Sequence, residues 1–287
     1  MSRPVCITYD STCDLTTALL ERFKIRTVSL TIQSGERVFP DDGSYTSADL
    51  YADYRKDGTL PKTAAVSPEQ FKAFFGPILE EGLDIVHIDI SADLSCTCQN
   101  ALVAVAELEA GDRIHVVDSR QLSTGGGLLA LQGAKLRDQG MAAGEIAEEL
   151  RKLAPHSDTS FVLDTLEYMW KGGRCSGVAA LGANLLKLKP CIEVTDGKMG
   201  VGKKYRGSFE KCASEYIRDR LRDDDTVDLH RIFLTWSGCD RALIDSLKED
   251  IKSYQNFEEV IDTEAGSTIS GHCGPGCLGI LYIHKET

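Results

Sequence analysis

The chain has 287 residues, of which 42% are hydrophobic and 26% are charged, and its formal net charge is −12. These values are typical of a globular protein with one large or two ordinary hydrophobic cores. The acidic balance, with no basic cluster longer than residues 202–206, argues against a nucleic-acid-binding protein. No apolar run approaches the roughly 20 residues that span a bilayer, and no signal-peptide pattern follows Met1, so we expect a cytoplasmic protein without stable membrane insertion.

The first half of the chain alternates predicted strands with predicted helices. Apolar patterning predicts strands at residues 5–9, 25–32, 84–90 and 113–117, and helices at residues 15–23, 48–54, 68–79, 101–108, 125–139 and 143–153. The helix after Ser67 has a strong start signal, because Ser67 and Gln70 form a capping box around Pro68. Gly76 and Pro77 predict a kink within it. The alternation predicts a parallel sheet covered by helices on both faces.

Polar residues follow three of these strands at the point where each strand ends. The clusters are residues 10–12, 91–97 and 118–119, and in an open α/β sheet ligands bind beyond the carboxyl ends of the strands. The second cluster leads into a helix whose first backbone N–H groups attract a carboxylate or a phosphate. Ser95 and Thr97 add hydroxyl donors there, as does Ser91. We therefore predict a ligand site at this edge, although helix capping by Ser95 or Thr97 explains the same spacing.

The pattern changes near residues 155–157. Beyond them, strands are predicted at residues 160–163, 191–195, 199–205, 231–236, 259–262 and 278–283, and helices at residues 177–187, 209–222 and 241–255. Asp196 and Gly197, between two of the strands, are a strong hairpin signal. We therefore predict an α/β protein of two domains: a parallel-sheet α/β domain at residues 1–156 and an α+β domain with a largely antiparallel sheet at residues 157–287, with a ligand between them.

Three basic side chains in the second half are candidates for binding an anion. Arg174 ends the flexible segment 171–174, and its guanidinium matches the geometry of a carboxylate. His272 lies in the glycine-rich segment 270–277, which we predict to be a tightly shaped loop. Arg206 follows a predicted hairpin strand, where solvation at the surface is the simpler explanation.

The ten cysteines are scattered along the chain without a Cys-x-x-Cys pair, and without a secretion signal we expect reduced thiols. A soft-metal site is an open alternative, although small buried thiols are the more common use of such residues. The residues that such a site would use are Cys96, Cys98, Cys175, Cys273 and Cys277 with His272.

A hydrolytic or acyl-transfer enzyme is a second alternative. Ser95 and His272 could act with one of the aspartates, but the Gly-x-Ser-x-Gly elbow of many such enzymes is absent. No glycine-rich loop of the Walker or dinucleotide type is present either. The chain alone therefore lacks a recognisable nucleotide site.

Six segments, in the same order, resemble the DegV family of bacterial fatty-acid-binding proteins across nearly the whole chain. They are residues 7–15, 63–67, 94–101, 117–119, 171–174 and 271–276. The resemblance implies two α/β domains that hold a long-chain fatty acid between them. We expect no metal and no cofactor besides this ligand.

The resemblance also implies roles for individual residues. The fatty acid carboxylate is expected to contact Thr63, Ser95 and His272, with Arg174 close by. Arg206 matches a basic position near the opening, and Thr97 and Gly271 are further candidate contacts. The chain departs from the usual family pattern around this site, since it has residues Ala64, Ala65 and Val66 in place of Ser-Gln-Pro and Cys96 and Cys98 in place of glycine and tyrosine.

Family members of this kind present the acyl chain to a separate fatty acid kinase, whose ATP-binding subunit makes an acyl phosphate for phospholipid synthesis. The resemblance therefore implies a carrier that presents its ligand to a kinase and does not itself catalyse the reaction. The competing hypothesis is the enzyme that uses Ser95 and His272.

Overall fold

The computed structural model of the chain describes residues 3–175 and 188–285, and the predicted helix at residues 177–187 lies outside them. The strands of the described residues are β1 (Val5–Asp10), β2 (Ile25–Val28), β3 (Thr31–Ser34), β4 (Arg37–Pro40), β5 (Lys62–Ala64), β6 (Asp84–Asp89), β7 (Ile114–Asp118), β8 (Ser157–Leu163), β9 (Lys189–Thr195), β10 (Lys198–Tyr205), β11 (Val227–Ser237), β12 (Glu259–Glu264) and β13 (Cys277–His284). The α-helices there are α1 (Thr17–Phe23), α2 (Ser47–Asp57), α3 (Pro68–Glu80), α4 (Thr97–Glu107), α5 (Thr124–Asp138), α6 (Ala143–Leu153), α7 (Glu167–Gly172), α8 (Phe209–Leu221), α9 (Arg241–Tyr254) and α10 (Ser267–Cys273).

The first sheet is parallel and belongs to the amino-terminal half. Its strands lie in the order β2-β1-β6-β7, and each pairing in it is parallel. One face packs against α3 and α4, and the other packs against α5 and α6. Because strand residues alternate between the two faces, strands with apolar residues on both faces suit a sheet covered on both sides. The predicted parallel sheet with helices on both faces is confirmed.

The second sheet belongs to the carboxyl-terminal half and is mostly antiparallel. Its six strands lie in the order β10-β9-β8-β13-β11-β12, and only β11 and β12 pair in parallel. The predicted hairpin joins β9 to β10. Asp196 and Gly197 in its turn have φ values of 51° and 82°, and a type I′ turn requires a positive φ at both positions.

The prediction of a single strand at residues 25–32 is wrong, because these residues belong to two strands in different sheets. The chain leaves the parallel sheet after Val28 and starts a second strand at Thr31, which pairs with β4 and β5 in a separate three-stranded antiparallel sheet. Val28 packs in the core beneath α3, whereas Ile32 packs in another core with Tyr45 and Leu50. Both residues are buried, so the apolar pattern continues from one sheet to the other and does not indicate where the chain changes sheet.

Helix α3 begins as its sequence predicts. The Ser67 hydroxyl accepts the Gln70 N–H at 3.2 Å and the Gln70 side-chain oxygen accepts the Ser67 N–H at 2.9 Å, which completes the capping box. The helix continues through Gly76 and Pro77 to Glu80. The preceding strand β5, which carries Thr63, ends at Ala64 and pairs with β3.

Helix α5 packs between the two large sheets and joins their cores. Leu129 of this helix belongs to one apolar cluster with Ile7 of β1 and Phe233 of β11. Two glycines at its amino end allow the close contact, since a Cβ at Gly126 would lie 1.8 Å from the Tyr9 hydroxyl and one at Gly125 would lie 2.0 Å from the Thr159 hydroxyl. None of the helices in the described ranges combines the length and hydrophobicity needed to cross a bilayer.

Candidate ligand-binding site

A cavity of about 370 Å³ lies where the three sheets meet, and we call it the front cavity. Its volume falls within the range of about 300 to 1,000 Å³ that is usual for small-molecule sites. It is lined by Leu30, Thr63, Ala64, Ala65, Ile90, Leu94, Ser95, Cys96, Leu122, Met169, Arg174, Met199, Thr268, Ile269, His272 and Cys273. Most of these side chains are apolar, and the few polar ones include every residue predicted to contact a carboxylate directly.

A second cavity, of only about 20 Å³, lies deeper and is bordered by Phe161, Trp236 and Leu281. We call it the rear cavity. Leu122, Ile269 and Cys273 line both cavities, and we call these three side chains the neck. A volume of this size holds about one water molecule, so a ligand that passes the neck must displace the side chains behind it.

The polar end of the front cavity combines residues from four separate segments. Thr63 comes from β5, Ser95 from the turn between β6 and α4, Arg174 from the segment after α7, and His272 from α10. Nε2 of His272 lies 3.1 Å from the Thr63 hydroxyl. A hydroxyl, a guanidinium and an imidazole facing one space can receive a carboxylate.

His272 lies in a helix, and the predicted loop at residues 270–277 is wrong for its first part. Helix α10 spans Ser267–Cys273, and the turn begins only at Gly274, whose φ is 79°. Serine, threonine and glycine are weak helix formers, so the sequence gives little sign of this helix. Hydrogen bonds to Asp14 and Asp41 of the amino-terminal half stabilise it instead.

The His272 imidazole is neutral in this setting. Burial, together with the nearby Arg174 guanidinium, lowers the pKa of His272 to about 4. Nδ1 of the ring is buried and has no hydrogen-bond partner among the described residues. A neutral ring carries one N–H, so His272 can donate one hydrogen bond to a ligand or to Thr63 without bringing a charge of its own.

Ser95 has two functions in the structure. Its hydroxyl accepts the Thr97 N–H at 3.3 Å at the start of α4 and lies 2.7 Å from the Thr97 hydroxyl, although the N-cap position of the helix is Cys96, which makes no side-chain cap. It also lines the front cavity. Thr97 itself is fully buried and reaches the cavity only through Ser95. Gly271 and Arg206 are not among the residues that line the cavity; Gly271 packs against Leu50, and Arg206 is exposed.

The acidic residues at the strand ends support this edge from behind. Asp10 accepts the Ile90 N–H at 2.9 Å, and Asp118 accepts the Ala92 N–H at 3.2 Å. Neither carboxylate lines the front cavity. Both therefore hold the loop that leads from β6 to Ser95, and of the three predicted clusters only residues 91–97 supply a polar side chain to the front cavity.

The buried Asp10 predicts a pH dependence of stability. Burial, reinforced by the neighbouring Asp89, raises the pKa of Asp10 to about 7. The folded chain thus keeps a proton between about pH 4 and pH 7 that the unfolded chain releases, so this group lowers the free energy of unfolding as pH rises through that range, by up to about 1.4 kcal/mol per pH unit.

Between pH 4 and pH 7, we expect the free energy of unfolding to fall less in the Asp10→Asn variant than in the wild type. This holds even if the two proteins differ in stability at pH 4. Urea unfolding at several pH values measures this, with Asp112→Asn on an exposed loop as the matched control. Parallel stability curves for wild type and Asp10→Asn would contradict the assignment.

The alternatives that the sequence left open receive no support from these contacts. The cysteines carry reduced thiol groups, and no group of three or more potential metal ligands forms within the part of the chain that the structure describes. The Ser95 hydroxyl pairs with Thr97 whereas His272 pairs with Thr63. The nucleophile and base of a hydrolytic enzyme would need to face each other.

The neck and most of the apolar lining were missed from the sequence. Leu122, Ile269 and Met199 sit in segments whose patterning marks them only as buried or half-buried residues. No local signal distinguishes a side chain that lines a cavity from one that fills a core, because the difference depends on what lies opposite it.

The fold and the front cavity define a class of α/β protein in which a mostly apolar cavity with a few polar side chains lies between two large sheets. A family model described as "uncharacterised protein, DegV family" matches residues 4–285. The chain therefore belongs to the DegV family.

Known proteins resemble the chain over its full length. A protein named fatty acid-binding protein from Thermotoga maritima is 28% identical over 281 residues, which cover 96% of each chain. The structure of a fatty-acid-binding DegV family protein from Thermus thermophilus is 28% identical, covers 99% of this chain and 100% of its own, and has a TM-score of 0.87. The fatty acid kinase B3 protein of Streptococcus pneumoniae, loaded with linoleic acid, covers 99% of this chain and 100% of its own, with a TM-score of 0.81 and 23% identity, and therefore shares the fold.

Proposed function

We propose that the chain binds a long-chain fatty acid, with the carboxylate held by Thr63, Ser95, Arg174 and His272 and the acyl tail directed through the neck. The observation that carries this proposal is the Thr63–His272 contact in a mostly apolar cavity that shares the three neck side chains with a second, apolar cavity. The relatives named for fatty acid binding support it, since they match the chain from end to end.

The two ends of such a ligand would contribute differently. Burial of each methylene contributes about 0.8 kcal/mol, so a long tail supplies on the order of 10 kcal/mol before entropy losses. A net hydrogen bond contributes only about 0.5 to 3 kcal/mol. The apolar path would therefore set the affinity, and the four polar residues would set the orientation of the carboxylate.

The chain would act as a carrier for a separate kinase. It has no recognisable nucleotide-binding loop, and the likeness in fold to the Streptococcus pneumoniae kinase protein supports this role. In this proposal the carboxylate faces the mouth of the front cavity, where an ATP-binding subunit phosphorylates it to an acyl phosphate. The reaction would take place in the cytoplasm.

We also propose a boundary between two domains at residues 156 and 157. Strand β7, before this point, pairs in parallel, whereas β8, after it, pairs with antiparallel neighbours.

The bound ligand itself tests the proposal. Denaturing mass spectrometry of lipid extracted from freshly purified protein should yield a long-chain fatty acid. The delipidated protein should then bind one added fatty acid per chain. Protein that yields no fatty acid and binds none after delipidation would contradict the proposal. Acyl phosphate formation, trapped with hydroxylamine after addition of ATP and a kinase subunit, tests the carrier role separately.

Cys96 offers an independent probe of the cavity. It is the exposed member of the ten cysteines and it lines the front cavity, whereas the other nine are buried or half-buried. Alkylation of Cys96 by iodoacetamide should therefore slow when a fatty acid is bound. Peptide mapping of wild type and a Cys96→Ser control assigns the label, and an alkylation rate that is independent of ligand would argue against occupancy of this cavity.

We expect Ser95→Ala and His272→Ala each to weaken fatty acid binding by about tenfold without abolishing it. Each removes one hydrogen bond to the charged carboxylate, which contributes about 1.5 kcal/mol, while the tail contacts remain. Isothermal titration against palmitate and against its methyl ester measures the effect, and the loss should be confined to the acid. Unchanged affinity and unchanged phosphorylation in both variants would remove these residues from the site.

A further inference from the structure

Helix α10, which carries His272, is held at its amino end by two buried carboxyl groups of the other half of the chain. Asp14 accepts the N–H of Gly266, the residue that caps the helix, at 2.8 Å, and Asp41 accepts the N–H of Thr268 at 3.4 Å. Both carboxyl groups converge there, since a Cβ at Gly266 would lie 3.2 Å from one and 3.6 Å from the other.

These carboxyl groups are themselves fixed in place. Asp14 and Asp41 are only 8% and 7% exposed. The Ser123 hydroxyl donates to Asp14, and the Ser11 hydroxyl donates to Asp41 at 2.9 Å. Asp14 also has a φ of 49°, a conformation in which aspartate, asparagine and glycine are tolerated best. Such burial of two acidic groups costs stability, so the arrangement calls for a role besides folding.

The helix contacts the small three-stranded sheet at both of its ends. Asp41 directly follows β4 and holds the amino end, whereas Thr63 of β5 holds His272 near the carboxyl end. Seven residues of helix span only about 10 Å, so a shift at Gly266 must move the imidazole as well.

Asp14 connects the same helix to the sheet that carries Ser95. It follows β1, and β1 pairs with β6, whose end leads to Ser95. The Asp10 carboxyl group ties the end of β1 to Ile90 beyond β6. The two carboxyl groups thus connect the helix to the two segments that supply the other hydroxyl groups of the site.

We propose that Asp14 and Asp41 are positioning residues that set the location of His272 relative to Thr63 and Ser95. They do not touch the ligand; they act through helix α10. The effect of these residues on carboxylate recognition rests on the proposed function. Their effect on the position of the His272 imidazole does not, because that position can be measured without any ligand.

Paired substitutions separate positioning from general destabilisation. Asp41→Ala removes one hydrogen-bond acceptor, and Asp14→Gly removes the other. Glycine is chosen at position 14 because it adopts the positive φ of 49° found there without strain. Asp41→Asn and Asp14→Asn keep an acceptor oxygen. Burial raises the pKa of Asp14 to about 8, so the neutral amide resembles the protonated group present near pH 7. Asp42→Ala is the matched control, because Asp42 is exposed and its carboxylate accepts hydrogen bonds from the neighbouring Ser44.

The first measurement is the titration of His272 by NMR in the protein without ligand. We expect its pKa to rise from about 4 toward the ordinary value in Asp41→Ala and in Asp14→Gly, and to stay low in both asparagine variants and in Asp42→Ala. Thermal unfolding shows which variants are folded, and Asp41→Ala carries the test if Asp14→Gly does not fold.

The second measurement is the ratio of affinities for palmitate and its methyl ester. We expect this ratio to fall by about tenfold in Asp41→Ala, the cost of one misplaced hydrogen bond to a charged group, and to be preserved in Asp41→Asn. An unchanged His272 titration in the alanine and glycine variants, or equal effects of Asp41→Ala and Asp42→Ala, would overturn the inference. If the wild type binds no fatty acid, the proposed function fails while the titration still decides the positioning role.

Discussion

Leu122→Trp should lower the affinity for a sixteen- or eighteen-carbon fatty acid by on the order of a hundredfold and leave octanoate almost unaffected. Leu122 is 6% exposed and lines both cavities, so a larger ring there closes the neck. A tail that cannot pass loses about 0.8 kcal/mol for each excluded methylene, and about four methylenes account for the expected loss. Octanoate lacks the methylenes that would enter the rear cavity.

Overpacking at Leu122 also lowers stability, typically by about 1 to 3 kcal/mol. Titrations should therefore be run at 25 °C on protein shown to be folded by thermal unfolding. Leu102→Trp is the matched control, because Leu102 is 46% exposed on α4 and the same substitution there touches neither cavity. An equal loss for palmitate and octanoate would show that the polar end was damaged, and an unchanged affinity for palmitate would show that the tail does not pass Leu122.

Local signals predicted most of the regular structure. The capping box of Ser67 and Gln70 and the Asp196-Gly197 hairpin depend on residues close in sequence, and both are present in the structure. The strands of the parallel sheet and their helices were predicted from apolar spacing, which also depends only on residues close in sequence. Where two cores meet along one apolar pattern, as between Val28 and Ile32, the sequence could not show the change of sheet.

The candidate site depends on contacts that are distant in sequence. Thr63 and His272 are 209 positions apart and meet through a single hydrogen bond. Only the family resemblance connected them beforehand, since no spacing rule relates residues so far apart. Helix α10 was missed because its residues favour it weakly and the two carboxyl groups that hold it, Asp14 and Asp41, come from the other end of the chain.

Gly172 is the position at which one added methyl group should disturb the polar end most. A Cβ at Gly172 would lie 2.5 Å from Nδ1 of His272, too close for the ring to keep its place. The Gly172 carbonyl also accepts a hydrogen bond from the Arg174 guanidinium at 2.7 Å. A shift there therefore moves both the imidazole that contacts Thr63 and the only cation among the residues that line the front cavity.

We expect Gly172→Ala to weaken the binding of palmitate by on the order of a hundredfold, because it disturbs two carboxylate contacts of about 1.5 kcal/mol each. The methyl ester, which offers no charged oxygen, should lose much less. Gly76→Ala is the matched control, since Gly76 lies within α3 with open space around its Cβ position, where alanine should if anything stabilise the helix. Fluorescence displacement with both ligands measures the result. Equal losses for acid and ester would place the damage in the tail path, and wild-type affinity in Gly172→Ala would mean that the His272 imidazole does not contact the carboxylate.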